Sequence, residues 1–204
     1  MPDGTVRARC RHCSREADIP AYSIVNSREN PELKQQLLLG RIFIWTCPSC
    51  GTDNLVRYPL LYHDPDEKLL IWLSDGVKEV EDRMAETIAS EDGLADYTAR
   101  IVDTPGDLME KIKIFDAGLE DVPMEICKFV TRQELGKDVD LKFFRMEGAD
   151  NRLLLTYPEN GEMQVIGTGF SVYEDAAGIM RRNPQMKTCG LTRVDRLWLE
   201  KYLR

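Results

Sequence analysis

Two short cysteine motifs constrain this chain more than any other feature. Cys10 and Cys13 form the first pair, and Cys47 and Cys50 form the second, with two residues between the members of each pair. This spacing lets both thiolates of a pair turn toward one point, and two such turns supply four sulfurs. Four sulfurs complete the tetrahedral shell of Zn²⁺ and leave no open position for a water or a substrate. We therefore predict one structural zinc ion bound by these four cysteines.

The distance between the two pairs is long for a zinc ribbon. The 33 residues between Cys13 and Cys47 exceed the usual ribbon spacing of about 15–20 residues. Asn30-Pro31 is a favourable start for a helix, and Gly40 is a favourable end. The sequence therefore predicts a helical insertion between the two cysteine turns.

The composition favours a reducing compartment and gives no membrane segment. Met1-Pro2-Asp3-Gly4 lacks the basic flank and apolar core of a signal peptide. The most apolar run, Leu37 to Trp45, is short and contains Arg41, whereas a membrane helix needs roughly 20 apolar residues. We expect a cytoplasmic protein, in which paired CxxC motifs act as metal ligands rather than disulfides.

The order of predicted elements indicates an α+β protein with two folded parts. Residues 1–75 are predicted to form a zinc-ribbon-like antiparallel β unit with the helical insertion, and residues 76–93 a helix and a linker. Residues 94–204 are predicted to form an acidic α+β domain with a β-meander and flanking helices. The predicted strands of the meander are Leu141–Met146, Arg152–Tyr157 and Glu162–Ile166, with Asn160-Gly161 as a tight hairpin turn.

Strands are also predicted in the first part over Ile19–Val25 and Arg41–Thr46. Asn54–Leu61 and Leu69–Leu73 are predicted to form a hairpin, because the residues between them favour a turn. A terminal helix is predicted over Asp195–Leu203, where Val194, Leu197, Trp198 and Tyr202 share a face.

Charge weighs against general binding to nucleic acid. The chain has a formal net charge of −8. Residues 1–74 contain nine basic and nine acidic side chains, so the remainder carries the whole excess. An acidic body repels polyanions. The exception is a group of arginines around the first cysteine pair that offers a possible nucleic-acid or partner surface, namely Arg7, Arg9, Arg11 and Arg15.

Other residues with reactive or metal-binding side chains have simpler structural interpretations. Cys127 is interpreted as a core residue, and Cys189 as an exposed thiol in a polar loop. Gly167-Thr168-Gly169 fits a strand-to-helix turn better than a dinucleotide loop, because no βαβ unit surrounds it. Solvent-facing positions also explain the remaining candidates for a metal or acid–base site, which are His12, His63, Asp64, Asp66 and Glu67.

The cysteine pairs and their surroundings resemble the CpXC domain family. Pro48 and Ser49 lie inside the second pair, and the similarity covers Cys10 to Leu73, including Asn30-Pro31-Glu32-Leu33 and the run from Tyr58 to Pro65. It continues more loosely through Ile112 to Leu119 and Val194 to Trp198. Arg11 departs from the pattern, because the family name indicates proline there. The resemblance implies a bacterial or archaeal protein with a zinc site and no established activity.

Three classes of function fit these observations to different degrees. A closed metal site, an acidic second half and the lack of a catalytic constellation favour a non-enzymatic module that binds a protein partner. A zinc ribbon that contacts nucleic acid through the arginines near Cys10 is the alternative. An enzyme acting in the second half or between the two parts ranks third.

Overall fold

The computed structural model describes residues 1–202 and divides the chain into two compact units. The first unit comprises residues 1–109 and the second residues 110–204. The predicted helix and linker at 76–93 lie inside the first unit, where they form a helix and the start of a short 3-10 turn. The domain limits derived from the sequence stay a prediction.

The first unit contains eight short strands and two complete helices. Their bounds in chain order are β1 (Gly4–Arg9), β2 (Glu16–Ala21), β3 (Ile24–Asn26), α1 (Pro31–Leu38), β4 (Ile44–Thr46), β5 (Asp53–Leu55), β6 (Leu60–Asp64), β7 (Leu69–Leu73), α2 (Lys78–Ser90) and β8 (Thr98–Val102). Helix α3 (Pro105–Asp116) follows and contains the boundary between the units.

These strands form three separate sheets rather than one antiparallel sheet. β1 pairs with β2, and β4 pairs with β5, both antiparallel. The third sheet has the order β3-β6-β7-β8, in which β3 is parallel to β6 and β8 is parallel to β7. Its central strand β7 is buried at every position, as expected for a strand covered on both faces. The apolar core of the unit therefore lies on this mixed sheet.

Three predicted strands are wrong in their limits, each for an identifiable reason. The segment Ile19–Val25 divides into β2 and β3, because Ser23 leaves the first sheet and accepts the amide of Leu61 beside the third. The start of Arg41–Thr46 is a 3-10 turn closed by the amide of Phe43 on the carbonyl of Gly40. Asn54–Leu61 divides at Pro59, whose nitrogen has no hydrogen to donate to a ladder.

The second unit has the predicted meander. After α4 (Asp121–Leu135) come β9 (Lys142–Glu147), β10 (Arg152–Glu159), β11 (Glu162–Thr168), α5 (Phe170–Arg182) and α6 (Arg196–Glu200). The sheet order is β11-β10-β9, and both pairings are antiparallel. Asn160 and Gly161 have φ of 53° and 84° between β10 and β11, which is the tight turn predicted for this dipeptide.

The core of the second unit consists of two apolar clusters, which the helices form with the sheet and with one another. Met124 and Cys127 of α4 pack with Leu153 and Leu155 of β10 in one apolar cluster. A second cluster joins α4 and α5 to Trp198 of α6. Asp195 caps α6 by accepting the amide of Trp198 at 2.7 Å. The predicted end of this helix at Leu203 lies outside the described residues.

The α+β class predicted from the sequence is confirmed by this arrangement of helices and small sheets. In the described part of the chain, no helix is long and apolar enough to cross a membrane.

Candidate metal centre

Each cysteine pair sits in the tip of a two-stranded hairpin. Cys10 and Cys13 lie between β1 and β2, and Cys47 and Cys50 lie between β4 and β5. The two tips have equivalent hydrogen bonds. The amide of Cys10 donates to the carbonyl of Arg15 at 2.8 Å, and the amide of Cys47 donates to that of Thr52 at 2.9 Å. Both hairpins thus have the same knuckle geometry at their tips.

The residue after each pair adopts a left-handed conformation. Gly51 has φ of 70° and Ser14 has φ of 59°. Their amides donate to the carbonyls of Cys47 and Cys10, at 2.9 and 3.0 Å. Glycine adopts this conformation without steric cost, whereas serine does so with some strain. The sequence signal for this turn is therefore clear in the second knuckle and weak in the first.

The two knuckles bring the four sulfurs into one group. All four Sγ atoms lie within 4.8 Å of one another. The Sγ atoms of Cys10 and Cys50 are 3.5 Å apart, and those of Cys13 and Cys47 are 3.6 Å apart. Four thiolates around Zn²⁺ at about 2.3 Å would be separated by about 3.8 Å. The donor set and its spacing therefore fit a tetrahedral metal ion.

Burial of the sulfur-bearing residues follows the same symmetry. Cys10 and Cys47, the first members of the pairs, are each 1% exposed. Cys13 and Cys50, the second members, are exposed. One side of the cluster therefore faces the protein and the other faces solvent, as in a zinc ribbon whose metal ion links two loops at the protein surface.

The thiols have different pKa values because their hydrogen bonds differ. The hydroxyl and amide of Thr52 lower the pKa of Cys50 to about 5. The amide of Cys13 lowers the pKa of Cys10. The amide of Arg15 also lowers the pKa of Cys13, but desolvation and the three neighbouring sulfurs outweigh it and raise the pKa to about 11. Crowded sulfurs do not all ionise without a cation, and a bound metal supplies the charge that allows it.

Asn54 connects the two knuckles and was not identified from the sequence. Its side chain is 3% exposed. Its Oδ1 accepts the amide of Arg11 at 2.9 Å, and its Nδ2 donates to the carbonyls of Thr52 at 2.8 Å and Trp45 at 3.3 Å. One carboxamide thus joins the first knuckle to the second. A polar residue in a short strand directly after Cys50 was the only available signal.

The four arginines near the first knuckle do not act as one free basic surface. Arg7 forms ion pairs with Glu16 at 2.9 Å and with Asp18 at 3.6 Å across the hairpin. The guanidinium of Arg15 donates to the hydroxyl of Ser49 at 2.5 Å. The side chains of Arg9 and Arg11 are exposed and contact no charged or hydrogen-bonding partner within residues 1–202.

The histidine candidates lie outside the cysteine cluster. His12 is exposed, and across the described residues the four cysteines form the only group of three or more potential ligands. His63 lies against the ring of Tyr97, with 3.4 Å between Nε2 and the hydroxyl. Asp64 is buried and closes the β6–β7 turn by accepting the amides of Asp66 and Glu67. These contacts describe a turn rather than a second metal site.

The remaining candidates also occupy structural positions. Cys127 is fully buried in α4, and burial raises the pKa of its thiol to about 12. Cys189 is exposed. Gly167 and Gly169 flank the end of β11 and the start of α5, so the predicted strand-to-helix turn is confirmed. A Cβ at Gly167 would come within 2.2 Å of the guanidinium of Arg152.

Two hairpin knuckles with four converging sulfurs define the class of this protein: an α+β protein with a ribbon-type cysteine cluster able to hold a metal ion. A comparison with protein families identifies its family. Residues 8–128, more than half of the chain, match the family described as CpXC protein. The chain belongs to the CpXC family. No curated protein and no solved structure matches the chain.

Proposed function

We propose that this chain is a zinc protein of the cell interior whose first unit is a non-enzymatic module for binding a protein partner. The cysteine cluster carries the first part of this proposal. Four sulfurs converge within 4.8 Å, which is the donor set of a closed structural zinc site. Zn²⁺ there would hold the knuckles of β1–β2 and β4–β5 together and would take no part in a reaction.

Exposed apolar side chains next to the cluster support the binding of a protein. Ile44 of β4 and Leu55 of β5 stand directly opposite each other and are 47% and 67% exposed. Exposed apolar groups on a rigid pair of strands favour contact with another protein surface. The metal would fix the hairpin that presents them.

Binding to nucleic acid is the weaker proposal. Arg9 and Arg11 remain available for phosphates, whereas Glu16 and Asp18 neutralise Arg7. The chain as a whole carries −8. A phosphate-binding surface of so few cations would bind weakly, and its affinity would fall as the salt concentration rises.

Metal analysis tests the zinc assignment. We expect about one zinc per chain in protein purified without added metal. Cys47→Ser should lose the metal, because serine replaces a buried sulfur ligand. Cys189→Ser removes an exposed thiol outside the cluster and should keep it. A wild-type chain without zinc, or equal zinc in both variants, would contradict the assignment.

A capture experiment with matched surface variants tests the interaction. Wild-type protein and Leu55→Asp are used as bait in extract of the source cells, treated with nuclease and repeated at two salt concentrations. The control is Met163→Asp, which changes a residue 62% exposed in the second unit. A partner held by wild type and control but lost with Leu55→Asp supports the proposal after reconstitution from purified components. Capture that depends on nucleic acid favours the alternative.

A further inference from the structure

Arg132 is a buried cation that forms no hydrogen bond or ion pair through its guanidinium within the described residues. It lies in the last turns of α4 and is only 6% exposed. Its guanidinium forms no hydrogen bond or ion pair with any residue in the described range 1–202. Arginine is rarely buried unless it is paired. On the same helix, buried Lys128 instead contacts two carboxylates, at 2.6 and 3.0 Å. Arg132 therefore has hydrogen-bonding capacity that no described residue uses.

The side chain of Arg132 lines a cavity within the second unit. The cavity has a volume of about 360 Å³, and its walls include Phe129, Gln133, Lys137 and Arg196. This volume lies in the range of small-molecule sites. The half-buried ring of Phe129 provides an apolar wall, and the carboxamide of Gln133 provides a polar one.

The other cations of the cavity already have partners. Arg196 forms ion pairs with Asp138 and with Glu200, the latter at 3.0 Å. Lys137 contacts Glu159 at 2.6 Å. Asp138 and Glu200 of the lining and Glu159 beside it are therefore the partners of these two cations. Arg132 is the one cation of the lining that forms no such contact within residues 1–202.

The surroundings of Arg132 disfavour its charge as they stand. Burial lowers the pKa of its guanidinium, and the positive charge of Arg196 lowers it further; together they outweigh the carboxylates of Glu125, Asp140 and Asp138, which raise it. An anion bound in the cavity would oppose both effects, because it would pair with the guanidinium and offset the repulsion from Arg196.

We propose that this cavity binds the carboxylate group of a small organic anion, with Arg132 as its anchor. The planar fork of a guanidinium matches a carboxylate with two parallel hydrogen bonds. The carboxylates of Asp138, Glu200 and Glu159 at or beside the cavity would repel a phosphate dianion more strongly than a monoanion. The ring of Phe129 would face the apolar part of the ligand. This site is separate from the cysteine cluster and goes beyond the proposed function.

Fluorine NMR of 4-fluorobenzoate with the full-length, zinc-loaded protein tests the site. We expect saturable broadening of the ligand signal that unlabelled benzoate reverses. Benzamide has the same shape without the charge and should not reverse it. Inorganic phosphate should compete less well than benzoate.

Three variants separate the anchor from general charge. Arg132→Met should weaken binding by about tenfold or more, because the charge-assisted hydrogen bonds are lost. Arg132→Lys keeps the charge but not the fork and should bind less tightly than wild type. Arg145→Gln removes an exposed arginine of β9 that pairs with Glu147 and should bind like wild type.

Any one of three results would contradict the proposed site. They are equal binding by the wild type and Arg132→Met, displacement by benzamide at the concentration that benzoate requires, and no saturable binding. Stronger competition by phosphate would reassign the cavity to phosphate. If Arg132→Met does not fold, as judged from its amide spectrum, Arg132→Lys decides, and wild-type affinity in that variant would contradict the anchor role.

Discussion

At the scale of single residues, Asn54 is the contact on which the geometry of the cysteine cluster depends. Its side chain makes three hydrogen bonds to backbone groups of both knuckles and is almost fully buried. Asn54→Ala would leave the amide of Arg11 and two carbonyls without this partner. We expect a loss of about 1–3 kcal/mol in the free energy of unfolding, measured by urea unfolding of the zinc-loaded protein. Zinc affinity should also fall, because the side chain that joins the two cysteine knuckles would be absent.

A matched control isolates this effect. Asn30 precedes α1, is exposed and makes no side-chain cap hydrogen bond. Asn30→Ala should therefore change stability by less than about 0.5 kcal/mol and leave zinc affinity unchanged. Equal losses in the two variants would show that Asn54 has no special role at the cluster.

The thiols of the cluster make metal affinity depend on pH. Zinc binds thiolates, so each thiol that is protonated before binding must release a proton. With a pKa of about 11, Cys13 is protonated at neutral pH, whereas Cys50, with a pKa of about 5, is already ionised. Lowering the pH below neutral therefore weakens zinc binding by about tenfold per pH unit for each proton released. The slope should steepen as the pH falls toward 5, where Cys50 also becomes protonated.

Competition with a chromophoric chelator at a series of pH values measures this slope after correction for the protons of the chelator itself. Isothermal titration in two buffers of different ionisation enthalpy counts the protons independently. Affinity that does not change with pH would exclude release of a proton from Cys13 on binding.

At the scale of elements, a buried charge cluster joins α3 to α4 in the second unit. Lys111 contacts Asp121 at 2.9 Å and donates to the carbonyl of Val194 at 2.6 Å. Lys128 lies 2.6 Å from Glu125 and 3.0 Å from Glu110. All five charged residues are at most 3% exposed. Such ion pairs add little net stability over an apolar core, but removing one partner leaves a buried charge uncompensated.

Lys128→Met should therefore destabilise the second unit strongly. We expect a loss of about 3–5 kcal/mol in the free energy of unfolding, because Glu110 and Glu125 would lose their shared cation. Burial alone lowers the pKa of Lys128, but these two carboxylates outweigh it and raise the pKa. The stabilising charge is thus fully present at neutral pH and is lost only as the pH rises above the unfolded-state value of about 10.4.

Urea unfolding at neutral pH measures this loss, and Lys78→Met provides the comparison. Lys78 pairs with Asp82 one turn away on the exposed surface of α2, where such pairs contribute about 0.3–0.5 kcal/mol. A loss in Lys128→Met no larger than in Lys78→Met would mean that the acids of the cluster are protonated or solvated.

Elements set by local sequence could be predicted, and those set by distant pairing could not. The turn at Asn160-Gly161 and the end of α1 just before Gly40 follow from nearby residues. The division of Ile19–Val25 depends on β6, about forty residues away, with which β3 pairs in parallel. No local pattern reports such a partner. The cysteine cluster was predictable for the same local reason, whereas Asn54 acts between knuckles distant in sequence.

At the scale of the whole molecule, the two units have separate sources of stability. The first unit contains the cysteine cluster and the mixed sheet around β7. The second contains two apolar clusters and the buried charges, and its described residues include no group of metal ligands. Between Cys13 and Cys47 lie the predicted helix, as α1, and the strands β2, β3 and β4. A metal bound by the four cysteines would therefore close a long segment of the first unit.

Removal of the metal should unfold the knuckles and leave the second unit intact, because a structural zinc contributes its binding free energy to folding. The three tryptophans allow each unit to be followed separately. A Trp198→Phe variant keeps Trp45 and Trp72 in the first unit, and its emission should shift to longer wavelength on addition of a strong chelator. A variant with Trp45→Phe and Trp72→Phe keeps buried Trp198 of α6, and its emission should not change. Restoring zinc should reverse the first shift. A simultaneous shift at Trp198 would show instead that the two units unfold as one cooperative structure.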